Sequence, residues 1–249
     1  MYVEPLEILC EDGPVLAVNK PPGLISQGAP AGVPSLIGLV KDYLARKYHK
    51  PGNVYLGVPH RLDRPVSGVV VFSRNSKCAA RLAEQFHERQ VRKVYQACLE
   101  RPPEPREGTL VDWLYRVPDE PRVELSTEGV PGARRAELRY RTLDVHQGRS
   151  LVEIELLTGR MHQIRIQLGS RGWPIVGDRQ YGAKTSFPGS QESDPRLAPI
   201  ALHAYSLTIQ HPIRYDPLTI VAPIPRSWQT LGFRRSRLDG NALKDESHD

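Results

Sequence analysis

A carboxylate set between two guanidinium groups is the first feature with chemical content. It lies in His60-Arg61-Leu62-Asp63-Arg64-Pro65-Val66-Ser67-Gly68, followed at once by Val69-Val70-Val71-Phe72. The β-branched and aromatic run predicts a buried strand, because such side chains suit a pleated interior surface. Asp63 then stands on the loop entering a core strand, where a rigid scaffold can aim a side chain. Aspartates are ordinarily ionised near neutral pH, so one here could act as a nucleophile or stabilise positive charge. The same residues also fit a turn with exposed ion pairs, which contribute little.

Two further strings carry candidate groups. Leu156-Leu157-Thr158-Gly159-Arg160-Met161-His162-Gln163-Ile164-Arg165 gathers two guanidiniums, an imidazole and a carboxamide, and a helix over residues 161–171 would carry Arg165. Arg92-Lys93-Val94-Tyr95 opens a predicted strand over residues 93–99, and its alternation puts Lys93 and Tyr95 on one face. From spacing alone, Arg165 reads as a surface charge or phosphate contact, and Tyr95 as a core aromatic. Other chemistries lack their residues: no GxSxG elbow, no GxxxxGK[ST] or GxGxxG loop, and no HExxH or Cys/His cluster to make metal ligands of His60 and His162.

Taken together, these strings resemble the RluA-type pseudouridine synthases, with HRLD…SG as the most specific piece. The likeness runs through four ordered motifs from about Val15 to Pro225. It implies Asp63 as the catalytic carboxylate, Arg165 as its cationic partner, and Tyr95 as the ring that stacks on uracil and serves proton transfer at C5. It implies Arg61 as the side chain that enters the RNA stack where the target uridine leaves, since chemistry on a base requires extruding it. His60, Arg64 and Lys93 follow as substrate-binding residues, while Arg160, His162 and Gln163 are expected to face RNA or to fix their loop. The segment Gly177-Asp178-Arg179-Gln180-Tyr181-Gly182 resembles a further family stretch, read as structural. The chain departs from the family at Val66, where threonine is usual, and at Gln167, where histidine is frequent. The likeness implies no cofactor and no metal, with structured RNA (tRNA or rRNA) as partner. It includes no S4-type N-terminal RNA-binding domain, which leaves RNA selection to the catalytic domain.

The elements that must position these groups are legible in part. Val15–Lys20 reads as a strand ended by Pro21-Pro22-Gly23, with Lys20 either steering phosphate or simply solvated at the strand end. Leu36, Leu39, Val40, Tyr43 and Leu44 mark an amphipathic helix over residues 35–50 with Lys41, Arg46 and Lys47 on its surface. Asn75 or Ser76 is placed to cap a second helix over residues 77–89. Residues 134–145 and 151–156 alternate around Gln147-Gly148 and predict an antiparallel pair, with closing strands at 201–210 and 219–222. Residues 185–199 read as a mobile insertion. Many strands, few helices and no regular alternation predict an α+β fold, a largely antiparallel mixed sheet flanked by helices and loops. One domain is expected over residues 1–235, with a disordered polar tail over 236–249.

Bulk properties agree with this reading. A net charge of +6 favours a polyanionic partner, although a solvated surface would look the same. Three scattered cysteines without CxxC spacing fit a reducing compartment. No signal-peptide pattern or long apolar run occurs, so a cytoplasmic, membrane-free monomer is expected. Two other classes remain open: a non-catalytic RNA-binding or chaperone protein on the same fold, and a glycosidic hydrolase. The hydrolase would ordinarily need two carboxylates flanking the bond, and only Asp63 stands in the motif.

Overall fold

The computed structural model describes residues 6–233 apart from 193, 195 and 196, and the polar tail expected over 236–249 lies outside the described residues. In chain order the first elements are β1 (Glu7–Asp12), β2 (Val15–Lys20), α1 (Leu36–Lys47), β3 (Ser67–Ser73), α2 (Ser76–His87), β4 (Arg92–Leu99) and β5 (Glu107–Arg116). They are followed by β6 (Val123–Ser126), β7 (Arg134–His146), β8 (Arg149–Leu156), α3 (Gln163–Gly169), β9 (Leu202–Gln210) and β10 (Pro217–Val221), with 3-10 turns at Arg179–Tyr181 and Arg226–Leu231. The content is α+β, as expected. Contacts divide the chain into two compact units, one holding residues up to Arg92 with Ala204–Pro223, the other Lys93–His203 with the residues from Ile224. The divisions at Arg92/Lys93 and His203/Ala204 fall inside β4 and β9, so no linker composition marks them, and the third follows Pro223 after β10.

In the first unit the strands run β1-β2-β3-β9, with β10 on β9. β2 is covered on both faces: Val15, Leu16, Ala17 and Val18 are all fully buried, which a continuous apolar run predicts. It pairs antiparallel with β3 from Val15 opposite Ser73 to Lys20 opposite Gly68. Val15, Ala17, Val69, Val71, Leu82, Leu207, Ile209 and Ile220 form one core. Ser35 caps α1 by accepting from the Gly38 amide, and Leu36, Val40 and Leu44 make its buried stripe. Asn75 caps α2 through the Cys78 amide, which settles the choice between Asn75 and Ser76. β1 was not legible, because it is a half-buried outer strand with a register shift between Ile8 and Cys10 that breaks its alternation.

The second unit carries β4-β8-β7-β5-β6, each neighbouring pair antiparallel. Gln147 and Gly148 both take positive φ, +48° and +76°, the backbone that a tight hairpin between right-twisted strands favours. β5 and β6 escaped the sequence reading. On β5, Leu110 and Leu114 face inward, but the residue between them is Asp112, whose carboxylate takes hydrogen bonds from Gln167 and Arg171. A charge on the inner face hides the alternation. Residues 185–199 are tied at their start: Lys184 and Thr185 amides donate to Glu100, and Phe187 is buried.

Candidate active site

The Asp63 loop belongs to the first unit and is fixed through its main chain. Leu62, Pro65 and Val66 turn into the core, Asp63 and Arg64 are half-buried, and Arg61 is exposed. The Ser26 hydroxyl donates to the Leu62 carbonyl at 2.6 Å, and the Gly23 amide donates to the Arg64 carbonyl at 2.8 Å. Arg64 Nε returns a bond to the Gly23 carbonyl at 2.9 Å, and the Val66 amide closes the turn on the Asp63 carbonyl at 3.1 Å. The Pro21-Pro22-Gly23 turn is therefore the wall against which the Asp63 turn is built.

Lys20 is the post in that wall. The sequence left it between a phosphate contact and a solvated strand end, and the structure shows neither, since the side chain is fully buried. Its ammonium donates to the carbonyls of Pro21, Leu24 and Arg64 at 2.9, 2.9 and 3.0 Å. Three N–H donors meet three acceptors, which satisfies an ammonium completely. Burial pulls its pKa down to about 7, while the nearby Asp63 carboxylate works in the opposite direction. A buried cation is thus held under the loop that carries the acid.

His60 is also used internally. Its Nε2 accepts from the Val71 amide at 2.9 Å, and its ring stacks on Phe86 with centroids 4.5 Å apart. The histidine expected at the substrate anchors the loop to β3 and α2. Gly68 makes the strand entry possible: it takes φ +118°, and a Cβ there would stand 2.3 Å from the Ala204 carbonyl oxygen. Val66, the departure from the family's threonine, is simply a buried core residue.

The second unit holds the other candidates. On β4, Lys93 and Tyr95 are half-exposed while Val94 and Gln96 are buried, so the expected shared face exists. Lys93 reaches the Thr158–His162 loop, where its Nζ lies 3.5 Å from the point a Cβ on Gly159 would occupy. Gln163 resolves to loop-fixing rather than RNA-facing. Its buried carboxamide accepts from the Thr158 hydroxyl and the Arg160 amide, and donates to the Glu137 carbonyl. Arg160 Nε donates to the Arg135 carbonyl at 3.1 Å from a half-exposed position. His162 takes φ +51° and so starts α3 two residues later than the spacing suggested, and its Nδ1 is 2.8 Å from the Tyr181 hydroxyl.

Arg165 is buried at 4% exposure against Asp178 at 1%. Nε and Nη2 donate to the two carboxylate oxygens at 2.7 and 2.8 Å, Nη2 also reaches Gln180 Oε1 at 3.0 Å, and the guanidinium lies 4.9 Å from the Tyr181 ring centroid. The segment of Asp178, Gln180 and Tyr181 was read only as structural, and its contacts with Arg165 were not foreseen. The signal was present as an acid, an amide and an aromatic in one short segment, but nothing in the spacing joined it to Arg165. Gln167, the second departure, is buried on α3 and donates to Asp112 at 2.7 Å.

An α+β frame of largely antiparallel strands sets the class of fold; the comparisons give the family. The sequence profile described as RNA pseudouridylate synthase matches residues 14–170, and the chain belongs to that family. It is 33% identical over 225 residues to the dual-specificity RNA pseudouridine synthase RluA of Escherichia coli, covering 88% of this chain and 93% of that one. It is 36% identical over 231 residues to the ribosomal large subunit pseudouridine synthase D of Xylella fastidiosa, covering 89% of this chain. The chain spans 66% of that relative's length, and 64% of an RNA pseudouridine synthase from Chloroflexus aurantiacus to which it is 37% identical, with 86% of this chain covered. Among solved structures, human RNA pseudouridylate synthase domain containing 4 superposes with a TM-score of 0.74 at 26% identity, over 92% of this chain and 94% of that one. Among the described residues no helix is long and apolar enough to cross a membrane.

Proposed function

We propose that this protein converts uridine to pseudouridine in structured RNA, transfer or ribosomal, with Asp63 as the essential carboxylate. The observation that carries the reading is that Asp63 lies within the family match on a turn held by Lys20, Gly23 and Ser26. In the reaction the N1–C1′ bond breaks, the detached uracil turns, and C5 bonds to C1′. The C5 proton leaves to solvent and N1 gains one, so product and substrate are isomers and no external oxidant or group donor is consumed. Asp63 serves the sugar side of the bond, and covalent capture at C1′ and glycal formation both use the same carboxylate.

Arg165 supplies the cationic partner, Tyr95 stacks on the uracil and assists at C5, and Arg61 fills the place the flipped base leaves. Arg64, Lys93, Arg160 and His162 lie along the RNA. The proposed setting is the cytoplasm, with a monomer that uses no metal or cofactor. The experiment is to incubate purified protein with transfer and ribosomal RNA and map carbodiimide adducts that persist after alkali, a chemical mark of pseudouridine. New adducts at discrete uridines support the reading. RNA binding with no adduct in any RNA would replace it with the non-catalytic RNA-binding alternative.

A further inference from the structure

We infer that Asp178 is a positioning residue for the reaction, acting through Arg165, and that Gln180 and Tyr181 complete the device. The inference rests on the reading that Arg165 serves catalysis. Asp178, Gln180 and Tyr181 lie beyond the stretch matched by the family profile, which ends at residue 170. A planar guanidinium has two hydrogen-bonding edges that matter here. The Nε–Nη2 edge is committed to Asp178 in a bidentate bond, and Nη2 carries Gln180 as well. The guanidinium is therefore held in one orientation, with Tyr181 fixing the plane from one face.

The pair also sets the charge. Both groups are nearly fully buried, and a lone guanidinium there would be strongly disfavoured. With Asp178 in place Arg165 is charge-compensated, so it acts as a directed donor more than as a free cation. The support is rigid. Tyr181's hydroxyl bonds to His162 Nδ1 and accepts from the Val123 amide at 3.2 Å. A Cβ on Gly169 would stand 2.3 Å from the Tyr181 carbonyl oxygen, so the end of α3 is pressed onto this turn. The device ties α3, the 3-10 turn and β6 around one side chain.

The test is a double-mutant cycle on single-turnover tritium release from C5-labelled RNA, with RNA Kd and thermal unfolding measured on each variant. Asp178→Asn should lower the rate by about 10²-fold, the scale of a roughly 1 Å misplacement, and change RNA Kd by less than about threefold, since orientation rather than uniform binding is lost. Arg165→Gln combined with Asp178→Asn should be no slower than Arg165→Gln alone, because the acid works only through the arginine. Multiplying losses, or a wild-type rate in Asp178→Asn, would overturn the inference. If Asp178→Asn does not fold, Asp178→Glu keeps the charge and displaces the fork: a slowed rate in a folded protein supports the inference, and an unchanged rate overturns it. If the wild type itself releases no tritium, the functional reading falls instead. The grip of Asp178 on Arg165 is read separately from the Arg165 Nε–H NMR signal: fast water exchange in the wild type would overturn the inference even where tritium is released, and protection that is lost in Asp178→Asn supports it where the wild type is active.

Discussion

The two units hold their candidate charges in mirrored ways. In the first, an acid stands on a loop above a buried base, with Asp63 over Lys20. In the second, a base is gripped by a buried acid, Asp178 against Arg165. The means differ. Lys20 binds three main-chain carbonyls of the turns beside Asp63, whereas Asp178 binds the candidate side chain itself. A loop held through its backbone fixes where the acid is through main-chain carbonyls and amides. A side chain held through its own fork is fixed in direction as well as place, with one edge committed. The first arrangement fixes a position, and the second fixes a direction.

The largest expected effect that separates these designs is Lys20→Met. Orphaning three buried carbonyls should cost about 3 kcal/mol or more of stability, at roughly 1–3 kcal/mol each less the relief of desolvating the ammonium. Urea unfolding measures it. If Lys20 acted only as a counter-charge, removing Asp63's charge as well would restore stability, so Lys20→Met with Asp63→Asn is the sharper variant. The main-chain account predicts no recovery.

Next in size is Gly68→Ala. A Cβ at that φ would meet the Ala204 backbone, which should destabilise by about 2–3 kcal/mol through strain and overpacking. Thermal unfolding at fixed pH checks it, and an unchanged Tm would mean that β3 can shift and that the loop is less firmly set than described.

The smallest effect concerns Glu11, a third charged cluster that lies in the first unit. Burial alone would raise its pKa, but hydrogen bonds from Lys47, Tyr48 and Tyr43 hold it at about 2, below the ordinary 4.5. Because the folded pKa is the lower one, the contribution is fully present above about 4.5 and is lost as pH falls toward 2. Glu11→Gln should flatten acid unfolding in that window and leave neutral activity alone. An unchanged acid limb would remove this cluster from the account.

How much was legible follows from where the information sits. The Asp63 loop, β2, α1, α2 and the β7–β8 hairpin were readable, because apolar periodicity, caps and a Gln-Gly turn act over a few residues. Lys20 was misplaced because lysine at a strand end usually meets water, and only the fold shows that Leu24 and Arg64 close over it. β5 was hidden by an inward-facing Asp112 whose partners lie more than 50 residues away. Asp178 was read only within a structural segment and not joined to Arg165 for the same reason, since a bidentate pair is visible only once α3 and the following turn are folded. Gln163 and His60 carried family-like positions, and their bonds to Thr158, Glu137 and Val71 inside the protein could be seen only in the fold.

The most direct measurement is tritium release from C5-labelled uridine in RNA by the wild type and by Asp63→Asn, with RNA binding recorded in parallel. The account predicts release by the wild type, loss by on the order of 10⁴-fold or more in the variant, and similar RNA affinity in both. Release by Asp63→Asn at the wild-type rate would contradict it.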